Sequence, residues 1–213
     1  FHINHKRVQR IMHDLKLFGK RPKEKYHSYK GEVGKVAGNI IQRNFKADRP
    51  LQKWTTDVTQ FHFSWGKCYL SPILDMNTNE IISYDLSMIP NLNQIKRMLN
   101  RAFKKFRNLQ GLIMHSDQGW QYQHEYYRSE LKKHGIIQSM SRKGNCYDNS
   151  IMETFFGRMK NEMYYGSEKE YTSFKVFAKA VKEYIHYFNK ERIQKKTKWM
   201  PPEIYRETST NAI

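Results

Sequence analysis

Beyond residue 50 the polar and apolar positions run in two rhythms. Three short runs, "WTTDVTQFHF", "CYLSPILDM" and "EIISYDLSM", are rich in β-branched and aromatic residues and are separated by turn residues at 64–67 and 77–79, which predicts an antiparallel meander. The rhythm then lengthens. "NLNQIKRMLNRAFKKF" gathers Ile95, Met98, Leu99, Ala102, Phe103 and Phe106 on one helical face and leaves Lys and Arg on the other. "GLIMHSD" reads as a buried strand, "HEYYRSELKKHG" as a helix and "IIQSMS" as a strand. Residues 149–165 form the next predicted helix, with Met152, Phe155, Phe156, Met159 and Met163 as its apolar face. A last helix over 173–193 would bury Phe174, Phe177, Ala178, Val181, Tyr184 and Phe188.

The order βββαβαβα is that of a ribonuclease-H-like fold: an α/β architecture with a mixed five-stranded sheet, the first strand beside the fourth, and helices on its faces. Upstream, "NHKRVQRIMHDLKLFG" repeats Val8, Ile11, Met12 and Leu15 at helical spacing, with Asn4 to cap the start and Gly19 to end it. The expected organisation is therefore a basic helical segment over 1–18, a basic linker or arm over 19–50 with a small helix near 36–45, a core over 51–193, and a tail over 194–213. In the tail, Trp199 and Tyr205 are expected to pin "WMPPEIYRE" to the core.

Charge narrows the partner. The 213 residues carry 38 Lys and Arg against 20 Asp and Glu, a formal charge of +18, which favours a polyanion and nucleic acid first. Residues 1–50 hold 13 of those basic residues and 4 of the acidic ones, as expected of a basic arm ahead of a less extreme body. Cys68 and Cys146 are too few for a disulfide framework or a Cys-rich zinc module. No apolar run reaches membrane-span length and "FHINHKRV" is no secretory signal, so no membrane role is expected and a cytoplasmic protein is, nucleoid-associated when bound to DNA. The chain does not begin with Met, which fits processing, truncation or excision from a longer chain.

Three carboxylates stand out. Asp57 interrupts a strand-like run and Asp117 closes another, and adjacent first and fourth strands would bring the two side by side. Each has a plainer reading: a solvent-facing strand residue for Asp57, a turn or cap residue for Asp117. Glu153 follows Ser150 in an S-x-x-E pattern that a capping box would also explain. Together, two neighbouring like charges and a third carboxylate on a facing helix form a donor set of hard oxygens suited to Mg²⁺ or Mn²⁺. Asp75, Asp85 and Glu162 read as surface charges or salt-bridge partners.

The segments "WTTDVTQF", "HSDQGWQY" and "SRKGNCYDNSIMETFFGRMKNE" resemble the three catalytic blocks of DDE transposases of the bacterial IS-three insertion-sequence family, specifically its B-frame product, which is similar to retroviral integrases. The 35 residues between Asp117 and Glu153 match that group's spacing. The resemblance covers about residues 50–205 and extends weakly upstream, where "INHKRVQRIM" is similar to the second half of a helix-turn-helix. It implies a polynucleotidyl transferase in which Asp57, Asp117 and Glu153 hold two Mg²⁺ ions, Mn²⁺ substituting. Cleavage and strand transfer at transposon ends would share that site. It implies double-stranded DNA as partner, both terminal inverted repeats and target, and at least a dimer on DNA to hold two ends.

Lys160, seven residues after Glu153, shares its helical face and by the resemblance would grip a terminal phosphate; otherwise it is a solvated lysine. Arg142, Lys143, Asn145, Tyr147 and Asn149 are candidate DNA contacts around a turn at Gly144, with Asn149 also a candidate for supporting the acids, although turn formation and helix capping explain some of them equally. Lys6, Arg7 and Arg10 on the first helix complete the expected DNA contacts. His115 either orients a ligand, accepts a proton or is a hydrogen-bonded structural group. Two other activities fit the same residues: a ribonuclease-H-like nuclease that cuts without joining, and a truncated, catalytically silent DNA-binding regulator.

Overall fold

The computed structural model describes residues 4–18 and 36–210. Helix α1 (His5–Asp14) is capped by the Asn4 side chain, which accepts from the Lys6 N–H, and buries none of its residues. The rest of the described chain builds one mixed sheet from β1 (Lys53–Thr56), β2 (Thr59–Phe63), β3 (Gly66–Asp75), β4 (Ile81–Ser87), β5 (Ile113–Ser116) and β6 (Ile137–Met140). Strand β3 pairs antiparallel with β4 on one edge and with β1 and β2 on the other. Parallel pairing then joins β1 to β5 and β5 to β6.

The expected first strand is thus interrupted, and six strands are present instead of five. Its halves keep one register, since Trp54 faces Asp75 and Thr59 faces Leu70. That register sets Asp57 and Val58, between the halves, opposite Pro72 and Ser71. Pro72 has no N–H to give a ladder, and the gap falls beside it. The strand therefore opens at Asp57 without changing which face later residues point to.

Alternation along the strands divides the core in two. On one face, Trp54, Ile73 and Met114 pack with α2 (Leu92–Lys105) and α4 (Glu125–Lys133) through Ile95, Met98, Leu99, Tyr127 and Leu131. On the other, Phe61, Leu70 and Leu74 pack with α5 (Ser150–Met163) and α6 (Phe174–Lys190) through Met152, Phe155, Met159, Phe177, Val181 and Phe188. A single turn, α3 (Trp120–Gln123), follows β5.

Other expectations change as well. No helix forms over 36–45; Gln42 and Arg43 take left-handed backbone with φ of 47° and 64°, and the segment lies against the core with Ile41 buried. The Ile40 N–H donates to Ser139 Oγ at 3.0 Å, so the described part of the expected linker is tied to β6. Residues 19–35 of that linker lie outside the described residues.

The tail forms an unexpected helix, α7 (Pro202–Thr210), and Trp199 does not pin it: its φ is 64° and its side chain is 64% exposed. Arg206 does, donating to the buried Glu80 at 2.6 Å. Asp75 and Asp85 are interior residues. Asp75 accepts from the Leu51 and Asn77 N–H groups at 2.8 Å and from Trp54 Nε1 at 3.1 Å, while Asp85 pairs with Arg97 and Arg101. No helix among the described residues is long and apolar enough to cross a membrane.

Candidate active site

The parallel register of β1 and β5 sets Thr55 beside His115. Two residues further on, the same register aligns Asp57 with Asp117. Alternation turns Trp54 and Met114 into one core and sends Thr55, Asp57, His115 and Asp117 to the face covered by α5. Thr55 Oγ1 lies 3.2 Å from Asn149 Oδ1, and His115 Nε2 lies 2.9 Å from the Asp148 carbonyl, both at the entrance to α5.

Asp57 is half-buried, and burial pushes its carboxyl well above the usual range, with the Asp117 charge adding to the effect and Glu153 contributing less. Asp117 is raised as well, chiefly by burial, against the opposing pull of the Gly119 N–H at 2.9 Å. Glu153 is exposed on the first turn of α5 and raised by partial desolvation. Its charge reaches Asp57. Among the described residues, however, no three acidic, His or Cys side chains stand close enough to enclose an ion. Asp57 thus feels the charge of Asp117 more strongly than that of Glu153.

Asn149, not Ser150, is the residue ahead of the first turn of α5, and its side chain makes no capping bond. The capping box that would have explained Ser150 and Glu153 is not formed. Instead the buried Asn149 carboxamide donates to Asp57 Oδ2 at 2.9 Å. Asp57 Oδ1 accepts from the Val58 N–H at 2.7 Å, so both carboxylate oxygens are engaged. The preceding 3₁₀ turn, Cys146–Asn149, is held by Asp148. That buried carboxylate accepts from Arg142 Nε and Nη2, both at 3.0 Å, from the Arg142 N–H at 3.0 Å, from Arg43 Nε at 2.9 Å and from Asn39 Nδ2 at 3.0 Å.

The candidate DNA contacts separate accordingly. Arg142 is paired with Asp148, Asn145 Oδ1 accepts from Arg43 at 3.2 Å, and Asn149 is turned inward. Lys143 and Tyr147 are exposed, and Arg43 lies 5.7 Å from the Tyr147 ring centroid. Lys6, Arg7 and Arg10 are exposed on α1. Lys160 is half-buried with Nζ 5.3 Å from the Phe61 ring centroid. His115 is buried between Ser139 Oγ and the Asp148 carbonyl, both at 2.9 Å, and burial lowers its proton affinity. Arg43, which the sequence did not single out, joins the turn from outside the core.

Residues 47–146 and 153–209 match two families described as integrase core domain. Over 209 residues the chain is 54% identical to an uncharacterized transposase-like protein of Haemophilus influenzae, covering 98% of this chain and 95% of the relative. It is 50% identical over 204 residues to the putative transposase InsK for insertion sequence element IS150 of Escherichia coli, covering 96% and 71%. The chain belongs to the insertion-sequence transposases. Their integrase core makes this transposase a member of the polynucleotidyl transferases. Among solved structures, the HTLV-2 integrase catalytic core in complex with magnesium superposes with a TM-score of 0.60 at 14% identity, over 75% of the transposase chain and 99% of that one. A simian T-cell lymphotropic virus intasome chain gives 0.59 at 14% identity, over 90% and 63%. The transposase thus has the ribonuclease-H-like fold of retroviral integrase cores.

Proposed function

We propose that this transposase cuts and rejoins DNA at the ends of its insertion sequence through a metal-dependent site formed by Asp57, Asp117 and Glu153. The observation that carries the reading is the alignment of Asp57 with Asp117 at the ends of two parallel strands, on the face covered by α5. The donor set fits a hard cation: two carboxyls raised by burial, one of them also by its neighbour's charge, gain from a positive charge between them. Bound Mg²⁺ or Mn²⁺, two ions in the full reading, would supply Lewis-acid stabilisation to an in-line displacement at phosphorus.

The chain's own groups then have distinct tasks. Asp57 and Asp117 form the fixed half of the site, and Glu153 completes it from the first turn of α5. Lys160, two turns further along that helix, is suited to a DNA phosphate. Lys143 and Tyr147 on the rim, and Lys6, Arg7 and Arg10 on α1, would position the duplex through its backbone. In this reading residues 51–193 are the catalytic core, 19–50 a basic arm, 194–213 a supporting tail, and 1–18 part of a DNA-binding region. Joining two ends to a target calls for at least two copies on DNA. Bacterial relatives and an absence of spanning helices among the described residues support action on DNA in the cytoplasm.

The test replaces Asp57 or Asp117 by Asn and Glu153 by Gln, singly, and assays labelled element ends with Mg²⁺. Each change is expected to abolish cutting and joining while DNA affinity stays within about threefold. Cutting without joined products by the unaltered chain would mean a nuclease. Cutting that survives any of the three changes would remove that carboxylate from the site.

A further inference from the structure

Asn149 stands where a helix cap belongs and does not cap. An Asn at this position stabilises a helix when its oxygen accepts from the first turn, yet here no such bond forms. Its carboxamide reaches across to β1 instead: Oδ1 accepts from Thr55 Oγ1 at 3.2 Å and Nδ2 donates to Asp57 Oδ2 at 2.9 Å. The group is 6% exposed, so both bonds lie out of water. The turn behind it is fixed on two sides, by His115 on the Asp148 carbonyl and by Arg142 and Arg43 on the Asp148 carboxylate.

The geometry points to Asn149 as a positioning residue for the transposition chemistry. It holds Asp57 in one orientation and ties that carboxylate to the first turn of the helix that carries Glu153. The inference rests on the assignment of Asp57, Asp117 and Glu153 proposed above. A carboxamide is suited to the task because it donates to the acid and accepts from Thr55 while bringing no charge of its own. Groups that orient ligating carboxylates in this way commonly change metal affinity or activity by about 10- to 100-fold when removed.

The experiment compares unaltered protein, D57N, N149S and N149D. Serine ranks with Asn as a helix cap but is too short to span to Asp57. N149D keeps an acceptor for Thr55, loses the donor to Asp57 and sets a second carboxylate against it. Mn²⁺ alone is titrated by electron paramagnetic resonance, thermal midpoints are taken without metal, and strand transfer is followed against Mn²⁺ concentration. N149S is expected to weaken Mn²⁺ binding about tenfold or more, to lower strand transfer at limiting Mn²⁺ by about 10- to 100-fold, and to recover part of that rate at high Mn²⁺. N149D is expected to lose strand transfer by a similar factor. Unaltered Mn²⁺ affinity and rate in N149S, or losses that track its unfolded fraction while N149D stays fully active, would overturn the inference. An active D57N would instead sink the assignment of Asp57 on which it rests.

Discussion

Asp148 offers the clearest separation of stability from chemistry. The carboxylate is 1% exposed and accepts four side-chain hydrogen bonds and one from the Arg142 N–H. The Arg142 guanidinium is the main reason its carboxyl lies well below the usual range, with Arg43 adding to it. Bonds to a charged group contribute about 1.5–3 kcal/mol each when buried. Here the Arg142 and Arg43 side chains are 58% and 48% exposed, so solvent weakens the guanidinium contribution towards that of solvated pairs. Asp148→Asn keeps the shape and removes the charge, and should cost about 2 kcal/mol in total, or about 4–8 °C in thermal midpoint for a chain of this size. Because the folded carboxyl is depressed, its contribution is fully present above the unfolded value of about 3.9 and is lost as pH falls through the lower folded value. Thermal unfolding followed by circular dichroism should therefore show the gap between D148N and unaltered protein at pH 7 and its shrinkage below about pH 4. Equal midpoints at pH 7, or a gap unchanged down to pH 3, would refute the reasoning.

Two further outcomes test the core and the acidic pair. Phe177 is fully buried with ring centroids of Phe61, Phe63 and Tyr171 at 4.9, 4.6 and 5.0 Å, so Phe177→Ala should cost about 3–5 kcal/mol in denaturant unfolding. Asp57 is raised in the folded chain, so its charged form opposes folding at neutral pH; D57N should raise the thermal midpoint without metal, an advantage that fades as pH drops towards the folded value and Asp57 takes up its proton. A lower midpoint for D57N under those conditions would contradict the burial and repulsion assigned to Asp57.

Most of the fold was legible because each element declares its own period. Of the stripe expected to be buried, Ile95, Met98, Leu99, Ala102 and Phe103 are buried in α2, since a 3.6-residue stripe between charged faces has one way to pack, while Phe106 lies just past the helix end and is half-buried. The break in the first strand was not legible, because both halves keep the same alternation and the same register against β3. What distinguishes them is a Pro at position 72, opposite Asp57 and far from it in sequence. The missing helix over 36–45 has a similar cause. Left-handed backbone at Gln42 and Arg43, residues with no particular preference for it, is imposed by contacts with β6 and Asp148.

The site shows the same division between local and distant signals. Asp57, Asp117 and Glu153 are visible as acids in unusual places, and pairing of two parallel strands suffices to align the first two. How Glu153 is held relative to them depends on a contact between residues 92 positions apart, Asn149 and Asp57, and on another 105 apart, Arg43 and Asp148. No spacing rule encodes such contacts; they appear only once the α5 entrance meets the sheet. A chain of net charge +18 nonetheless keeps two half-buried acids within reach of each other's charge. Burial and mutual repulsion make that pair a local cost to folding. Asn149, His115 and the Arg–Asp148 network behind it fix the surroundings of the pair. In the reading proposed above a bound cation would offset that cost, which ties the stability of the site to its chemistry.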